Sequence, residues 1–218
     1  MRGAIVHRGL FHSMVEVHDG PIAFLDRDGV INVGKAGYVN APCEVELLPK
    51  VATTIAALKM EGYAICVVTN QSAITRGLWG VEQLHSIHTH LEQLLMNENE
   101  DARIDLFITC PHHYESSCRC RKPRPGMLHL GHQLLRTKHG VSLDVPSVVA
   151  IPEFECDWWG NKPKPHHSLD LMVGDRRSDL GAGWATGVRL FKVAQHLGLS
   201  QRHEDVLNVA HSGDDFQP

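Results

Sequence analysis

Two aspartates stand two residues apart in Phe24-Leu25-Asp26-Arg27-Asp28-Gly29-Val30, directly behind a short apolar run. A strand end that turns at Gly29 can aim both carboxylates into one crevice, which is where open α/β sheets build active sites. One carboxylate can then attack while the other handles a proton. Two carboxylates this close are poor neighbours unless a divalent cation lies between them, and hard oxygen ligands favour magnesium. The set suits phosphoryl transfer, in which an anionic nucleophile must approach an anionic phosphate and needs cations to do so. A D-x-D standing alone is often a solvated acidic turn, so the weight falls on what accompanies it.

Three further segments accompany it. The apolar run Ala64 to Val68 ends in Thr69-Asn70-Gln71-Ser72, where a hydroxyl and successive amides can cradle phosphate oxygens. Arg121-Lys122-Pro123 supplies cations. A later run ends in Val173-Gly174-Asp175-Arg176-Arg177-Ser178-Asp179. A helix dipole alone would favour acids at Asp175 and Asp179, but beside Asp26 and Asp28 they read as a metal-binding set. Arg176 adds a planar cationic fork to that turn, and Arg177 reads as a surface residue.

A different chemistry is written in Cys110-Pro111-His112 and, five residues on, Cys118-Arg119-Cys120. Four soft or borderline ligands in one loop match tetrahedral zinc with no open position, so the metal would be structural. His113 competes for the fourth place; the one-residue spacing repeated at the other end favours His112. A Cys110–Cys118 disulfide is the other reading, which a reducing compartment disfavours.

These motifs need a sheet with its strand ends aligned. Apolar runs at Ile22 to Leu25, Ala64 to Val68, Ile104 to Ile108, Leu169 to Val173 and Val188 to Val193 alternate with helical patterns at Val51 to Met60, Val81 to Met96, Pro125 to about Lys138 and Ser178 to Ala185. That rhythm predicts an α/β, Rossmann-like parallel sheet with helices on both faces. The 218 residues suffice for a single domain, 1–218, with an N-terminal extension (1–20) and a proline-rich, irregular insertion (about 140–168) that carries Trp158 and Trp159. Either added segment could cover the cleft. The two tryptophans are open between packing, a substrate platform and a self-association patch. His85, His88 and His90, on one predicted helix, read as a solvated face without a ligand role.

A net charge of -4 supplies no broad cationic surface for nucleic acid. No run approaches the ~18 consecutive apolar residues of a membrane span, and residues 1–20 lack the apolar centre of a secretory signal. The expected setting is the cytoplasm and the expected partner a small phosphorylated metabolite, with oligomeric state open.

The order D-R-D-G-V, T-N-Q-S, R-K-P, G-D-x-x-x-D resembles the haloacid dehalogenase superfamily of phosphohydrolases, over roughly Ile22 to Val193. Within it, Asp26 to Asn32, Val68 to Gly77 and Arg121 to Met127 resemble the histidinol-phosphate and heptose-bisphosphate phosphatase group, which has no large cap domain. The resemblance implies Asp26 as nucleophile, Asp28 as general acid and base, Thr69 and Asn70 as phosphate binders, and Lys122 as the cation on the phosphoryl group. It implies magnesium held by the Asp26 carboxylate, the Asp28 backbone carbonyl and the Asp175 carboxylate, with Asp179 and Arg176 in support. The C-P-H pattern of the group again favours His112 as zinc ligand. Asn70 to Gly77 and Arg121 to Met127 look like the heptose 1,7-bisphosphate 7-phosphatases, whose second phosphate would need a partner such as Arg121 or Arg124. The gap between His112 and Cys118 looks instead like histidinol-phosphate phosphatase. That enzyme, another small sugar-phosphate phosphatase, and a catalytically idle binding protein of the same fold are the alternatives.

Overall fold

The computed structural model describes residues 3–11 and 17–218. Seven strands form one sheet among these residues: β1 (Ala4–Arg8), β2 (Ile22–Leu25), β3 (Ala64–Asn70), β4 (Leu106–Cys110), β5 (Ser147–Val149), β6 (Leu171–Gly174) and β7 (Arg189–Lys192). Their spatial order is β5-β1-β4-β3-β2-β6-β7. The five strands from β4 to β7 in that order run parallel, while β1 lies antiparallel between β4 and β5.

Residues along β2 and β3 alternate between the two faces, and because both faces are covered the strands are apolar throughout. Ala23, Leu25, Ile65, Val67 and Phe107 face α1 (Val51–Met60) and α2 (Val81–Glu98). Phe24, Cys66, Val68, Ile108 and Met172 face α3 (Gly126–Arg136) and α4 (Arg177–Trp184). Phe24 is fully buried, and truncating such a side chain to alanine costs about 3–5 kcal/mol.

Three expectations need correction. The sheet is mixed rather than parallel, because β1 arises within the segment expected to be an extension. Residues 1, 2 and 12–16 of that segment lie outside the described residues, but Ala4–Arg8 pairs with β4 and does not cover the cleft. Strand β4 begins at Leu106, two residues beyond the expected Ile104, because its register is set by pairing of Cys66 with Leu106 through Asn70 with Cys110. The third correction is at α2: His88 is fully buried rather than solvated, stacked on Phe107 with ring centroids 4.3 Å apart.

The insertion is irregular except for β5, and Trp158 stacks on Trp184 of α4 at 6.2 Å while Trp159 is exposed. The polar tail forms a 3-10 turn (Gly198–Arg202) and α5 (His203–Leu207), then docks Asp214 onto β7 through Lys192 N–H and Leu190 O.

Candidate active site

Strand β2 lies between β3 and β6, so its carboxyl end brings Asp26 between the turns that carry Thr69 and Asp175. The turn after β2 depends on Gly29: its φ is +82°, and a Cβ there would meet Gln195 Cγ at 2.8 Å and Asp175 Oδ2 at 2.9 Å. Only glycine lets the β2 and β6 loops close to this distance.

Lys122 is the centre of the arrangement. Its Nζ donates to Asp26 Oδ1 at 2.8 Å, Asp179 Oδ1 at 2.8 Å and Val68 O at 2.7 Å, which uses all three ammonium protons. Burial alone would lower the lysine, but Asp179 and Asp26 outweigh it and hold Lys122 above its ordinary value. The Asn70 amide clamps the Lys122 backbone, donating to its carbonyl and accepting from its N–H, both at 3.2 Å. Asn70 therefore fixes the lysine from the β3 end, in addition to lining the cleft.

Burial pushes Asp26 up to about 7, with Lys122 pulling down and Asp179 pushing further up. Asp175 is likewise raised, by burial and by Asp179. Carboxylate oxygens of Asp26, Asp175 and Asp179 lie within 4.8 Å of one another. Asp175 Oδ1 is buried with no hydrogen-bond partner among the described residues. An orphaned buried carboxylate oxygen in an all-oxygen acidic cluster is what a hard divalent cation would satisfy. Asp179 is already engaged by Lys122 and by the Arg176 N–H at 2.9 Å.

Asp28 stands apart. Its carboxylate accepts from Arg27 Nη2 at 2.9 Å, Asn32 Nδ2 at 2.9 Å and Gln71 Nε2 at 2.8 Å. Burial would raise it, but Arg27 and these donors prevail and hold it below its ordinary value. Gln71 also donates to Thr69 Oγ1 at 2.9 Å, tying the acid to the expected phosphate cradle. The role of Gln71 had no signal beyond its place in the T-N-Q-S turn.

The cleft above these groups encloses about 1110 Å³. Arg121, Arg124, Arg176, Lys35, Tyr38 and Trp158 line it. Arg121 and Arg124 are braced from behind, donating to His112 O at 3.0 Å and Cys118 O at 2.8 Å. Lys35 and Tyr38 lie in the loop after β2 and carried no motif. A separate cavity of about 60 Å³ at the opposite ends of β3 and β4 touches none of the site.

The carbonyls that brace the arginines belong to the cysteine loop. Cys110 Sγ lies 3.1 Å from Cys120 Sγ and 3.7 Å from Cys118 Sγ, and His112 Nδ1 lies 3.1 Å from Cys120 Sγ. The four ligand atoms fall within 4.8 Å of one another, and all six cysteines are free thiols. His113 points elsewhere, to Arg76 at 2.7 Å and Glu115 at 3.4 Å. Hydrogen bonds from Cys110 and Cys120 hold Cys118 far below the usual thiol range, and the same crowding pushes Cys110 and Cys120 up.

Residues 21–148 match the family model described as polynucleotide kinase 3 phosphatase. A relative from Mycobacterium tuberculosis (strain CDC 1551 / Oshkosh), named D-glycero-alpha-D-manno-heptose-1,7-bisphosphate 7-phosphatase, is 35% identical over 72% of this chain and 68% of its own length. One from Yersinia pestis, named D-glycero-beta-D-manno-heptose-1,7-bisphosphate 7-phosphatase, is 38% identical over 77% of each. Among solved structures, a putative HAD-like phosphatase from Mesorhizobium loti superposes with a TM-score of 0.70 at 26% identity, covering 99% of this chain and 97% of its own. The D,D-heptose 1,7-bisphosphate phosphatase of B. bronchiseptica, complexed with magnesium and phosphate, gives 0.61 at 25% identity over 85% and 86%. A sheet whose central strand ends in Asp26, a lysine held between two acids, and these matches lead to one placement: the chain belongs to the polynucleotide kinase 3 phosphatase family of haloacid-dehalogenase-type phosphatases.

Proposed function

We propose that this phosphatase is a magnesium-dependent phosphomonoesterase that works through an aspartyl-phosphate on Asp26 and removes the 7-phosphate of a heptose 1,7-bisphosphate. The observation that carries the chemistry is the three-way grip on Lys122 beside the orphaned Asp175 oxygen. Lys122 holds Asp26 in place and presents its charge where the transferred phosphoryl group must sit. Asp26 attacks phosphorus as the bond to the sugar oxygen breaks, and Asp28, which Arg27 and the amide donors hold ionised, passes to that oxygen a proton that it first takes up from water. Thr69 and Asn70 receive the phosphoryl oxygens. Magnesium, which the Asp26 and Asp175 carboxylates and the Asp28 carbonyl would hold, supplies the positive charge that lets two anions meet. Asp179 and Arg176 steady that set.

The substrate follows from the relatives' names together with the cleft. A volume of about 1110 Å³ accommodates a seven-carbon sugar with two phosphates, and Arg121 and Arg124 on its wall are suited to the phosphate that does not react. Relatives carry names with both anomers. Zinc suits the four-ligand loop as a closed structural site that stiffens the backbone behind those arginines. The chain reads as a single catalytic domain, and its free thiols suit a reducing cytoplasm. No described helix is long and apolar enough to cross a membrane.

Phosphate release with and without magnesium, from heptose 1,7-bisphosphate, a sugar monophosphate and histidinol phosphate, tests the reading. A preference for the bisphosphate of about tenfold or more in kcat/KM is expected. Preference for histidinol phosphate overturns the substrate, and no magnesium-dependent release from any of them overturns the chemistry.

A further inference from the structure

Arg27 is charged and fully buried, the largest such side chain in the protein. Its Nε and Nη2 grip Asp28, and its Nη1 meets His88 Nε2 at 3.3 Å. His88 Nδ1 lies 2.9 Å from His7 Nε2, and His7 Nδ1 lies 3.0 Å from the Arg8 carbonyl oxygen. A guanidinium can only donate and a carbonyl can only accept. The direction of every link is therefore forced: Arg27 donates to His88, His88 to His7, and His7 to the Arg8 carbonyl. Both imidazoles are neutral in this chain, as burial requires. Both stack on Phe107, at 4.3 and 4.7 Å, so the rings cannot swing without disturbing the sheet.

A buried charge without its partners costs several kcal/mol, and a hydrophobic core at this place would be cheaper to build. The cost falls on a line of residues that ends on a carboxylate in the cleft, and its far end is anchored on β1, outside the parallel part of the sheet. We propose that Arg27 is a positioning residue for Asp28 and that His88 and His7 hold its guanidinium in register, so that Asp28 is oriented to deprotonate the water that hydrolyses the aspartyl-phosphate.

This rests on the reading of Asp26 as nucleophile and Asp28 as proton-transfer group. In the step concerned, the water oxygen bonds to phosphorus and a water proton passes to Asp28. The bond from phosphorus to the Asp26 oxygen breaks, its electron pair returns to the Asp26 carboxylate, and inorganic phosphate leaves. A misaimed Asp28 slows this step. It does not slow attack by Asp26 on an aryl phosphate, whose departing phenolate needs no proton.

Burst kinetics with an aryl phosphate and magnesium separate the two halves. In His88→Leu, one aryl alcohol per chain should be released at the parent's rate, followed by steady turnover slowed about tenfold or more, with phosphoenzyme accumulating. His88→Gln, which restores an acceptor toward Arg27, should recover turnover. A parallel loss of burst and turnover, no loss at all, or no rescue by glutamine overturns the proposal. If His88→Leu does not fold, Arg27→Lys decides on the same readout, since it keeps the charge and loses the fork. Absence of any magnesium-dependent release of aryl alcohol and phosphate by the parent protein would instead strike the phosphatase reading, and the proposal with it.

Discussion

Two clusters of close-set ligands sit at the same end of the sheet, with β3 between them, and they differ in what balances them. The acidic cluster at Asp26, Asp175 and Asp179 has a resident cation in Lys122, which bonds one oxygen each of Asp26 and Asp179 and leaves one buried oxygen of Asp175 unmet. The cysteine cluster at Cys110, His112, Cys118 and Cys120 is a closed set of four ligand atoms within 4.8 Å of one another, with no place for a substrate among them. A partly balanced site can exchange a metal and admit a phosphate. Zinc in the closed site would stiffen the loop that carries Arg121 and Lys122.

Asp26→Asn should separate the clusters most sharply. The amide cannot form the acyl-phosphate, so magnesium-dependent phosphate release should fall about 10⁴-fold or more while zinc content and thermal midpoint stay near those of the parent. Elemental analysis together with a phosphate assay checks both halves.

Cys118→Ser should do the reverse. The gently purified parent should carry close to one zinc per chain, and the variant should lose it along with roughly 3–5 kcal/mol of stability, measured by denaturant unfolding. Residual folded protein should keep magnesium-dependent turnover of a small monophosphate. A metal-free variant as stable as the parent would end the structural role.

Proton concentration acts on a pair of buried histidines that belongs to neither cluster. Burial lowers His7 from 6.5 to about 4, so its neutral form contributes stability that is fully present above pH 6.5 and is lost as pH falls through 4, about 3 kcal/mol in all. His88 is lower still, for the same reason first and then because His7 and Arg27 face it. The thermal midpoint should drop between pH 6.5 and 4, and His7→Phe should flatten that slope.

The smallest effect concerns the wall between the clusters. Removing a guanidinium that holds the second phosphate should cost ~1.5–3 kcal/mol, or about tenfold to a hundredfold in kcat/KM. Arg121→Ala or Arg124→Ala should show that loss on the bisphosphate and little on a small monophosphate. Equal losses on both would point to loop damage through the carbonyls of His112 and Cys118.

Much of this was legible in the chain because parallel strands are buried on both faces and end where their apolar runs end. Asp26, Thr69 and Asp175 follow such runs directly, and the clustering of Cys110, Cys118 and Cys120 survives any error in strand limits. What stayed hidden was polar and inside. Ala4–Arg8 is a strand, but His7 interrupts its apolar pattern, and its burial is tolerable because His88 and the Arg8 carbonyl meet both ring nitrogens. The spacing of Leu84, Ile87, His88, Leu91 and Leu95 puts His88 on the buried stripe of α2; that periodicity could have found it, had the residue type not outweighed the position. Gln71 reaches Asp28 and Arg27 reaches His88, partners distant in sequence that no local pattern encodes.

The place of β1 also sets an order of assembly. Ala4–Arg8 is made well before its sheet neighbours, Leu106–Cys110 and Ser147–Val149. At ~5–20 residues per second, the ribosome takes on the order of 5–20 seconds to supply the nearer of them. During that interval Ala4-Ile5-Val6 is an unpaired apolar strand on a nascent chain, open to the wrong neighbour. The strands β2 and β3 can meet much earlier, so the parallel part of the sheet can start without the strand that carries His7, which joins it only once β4 has been made.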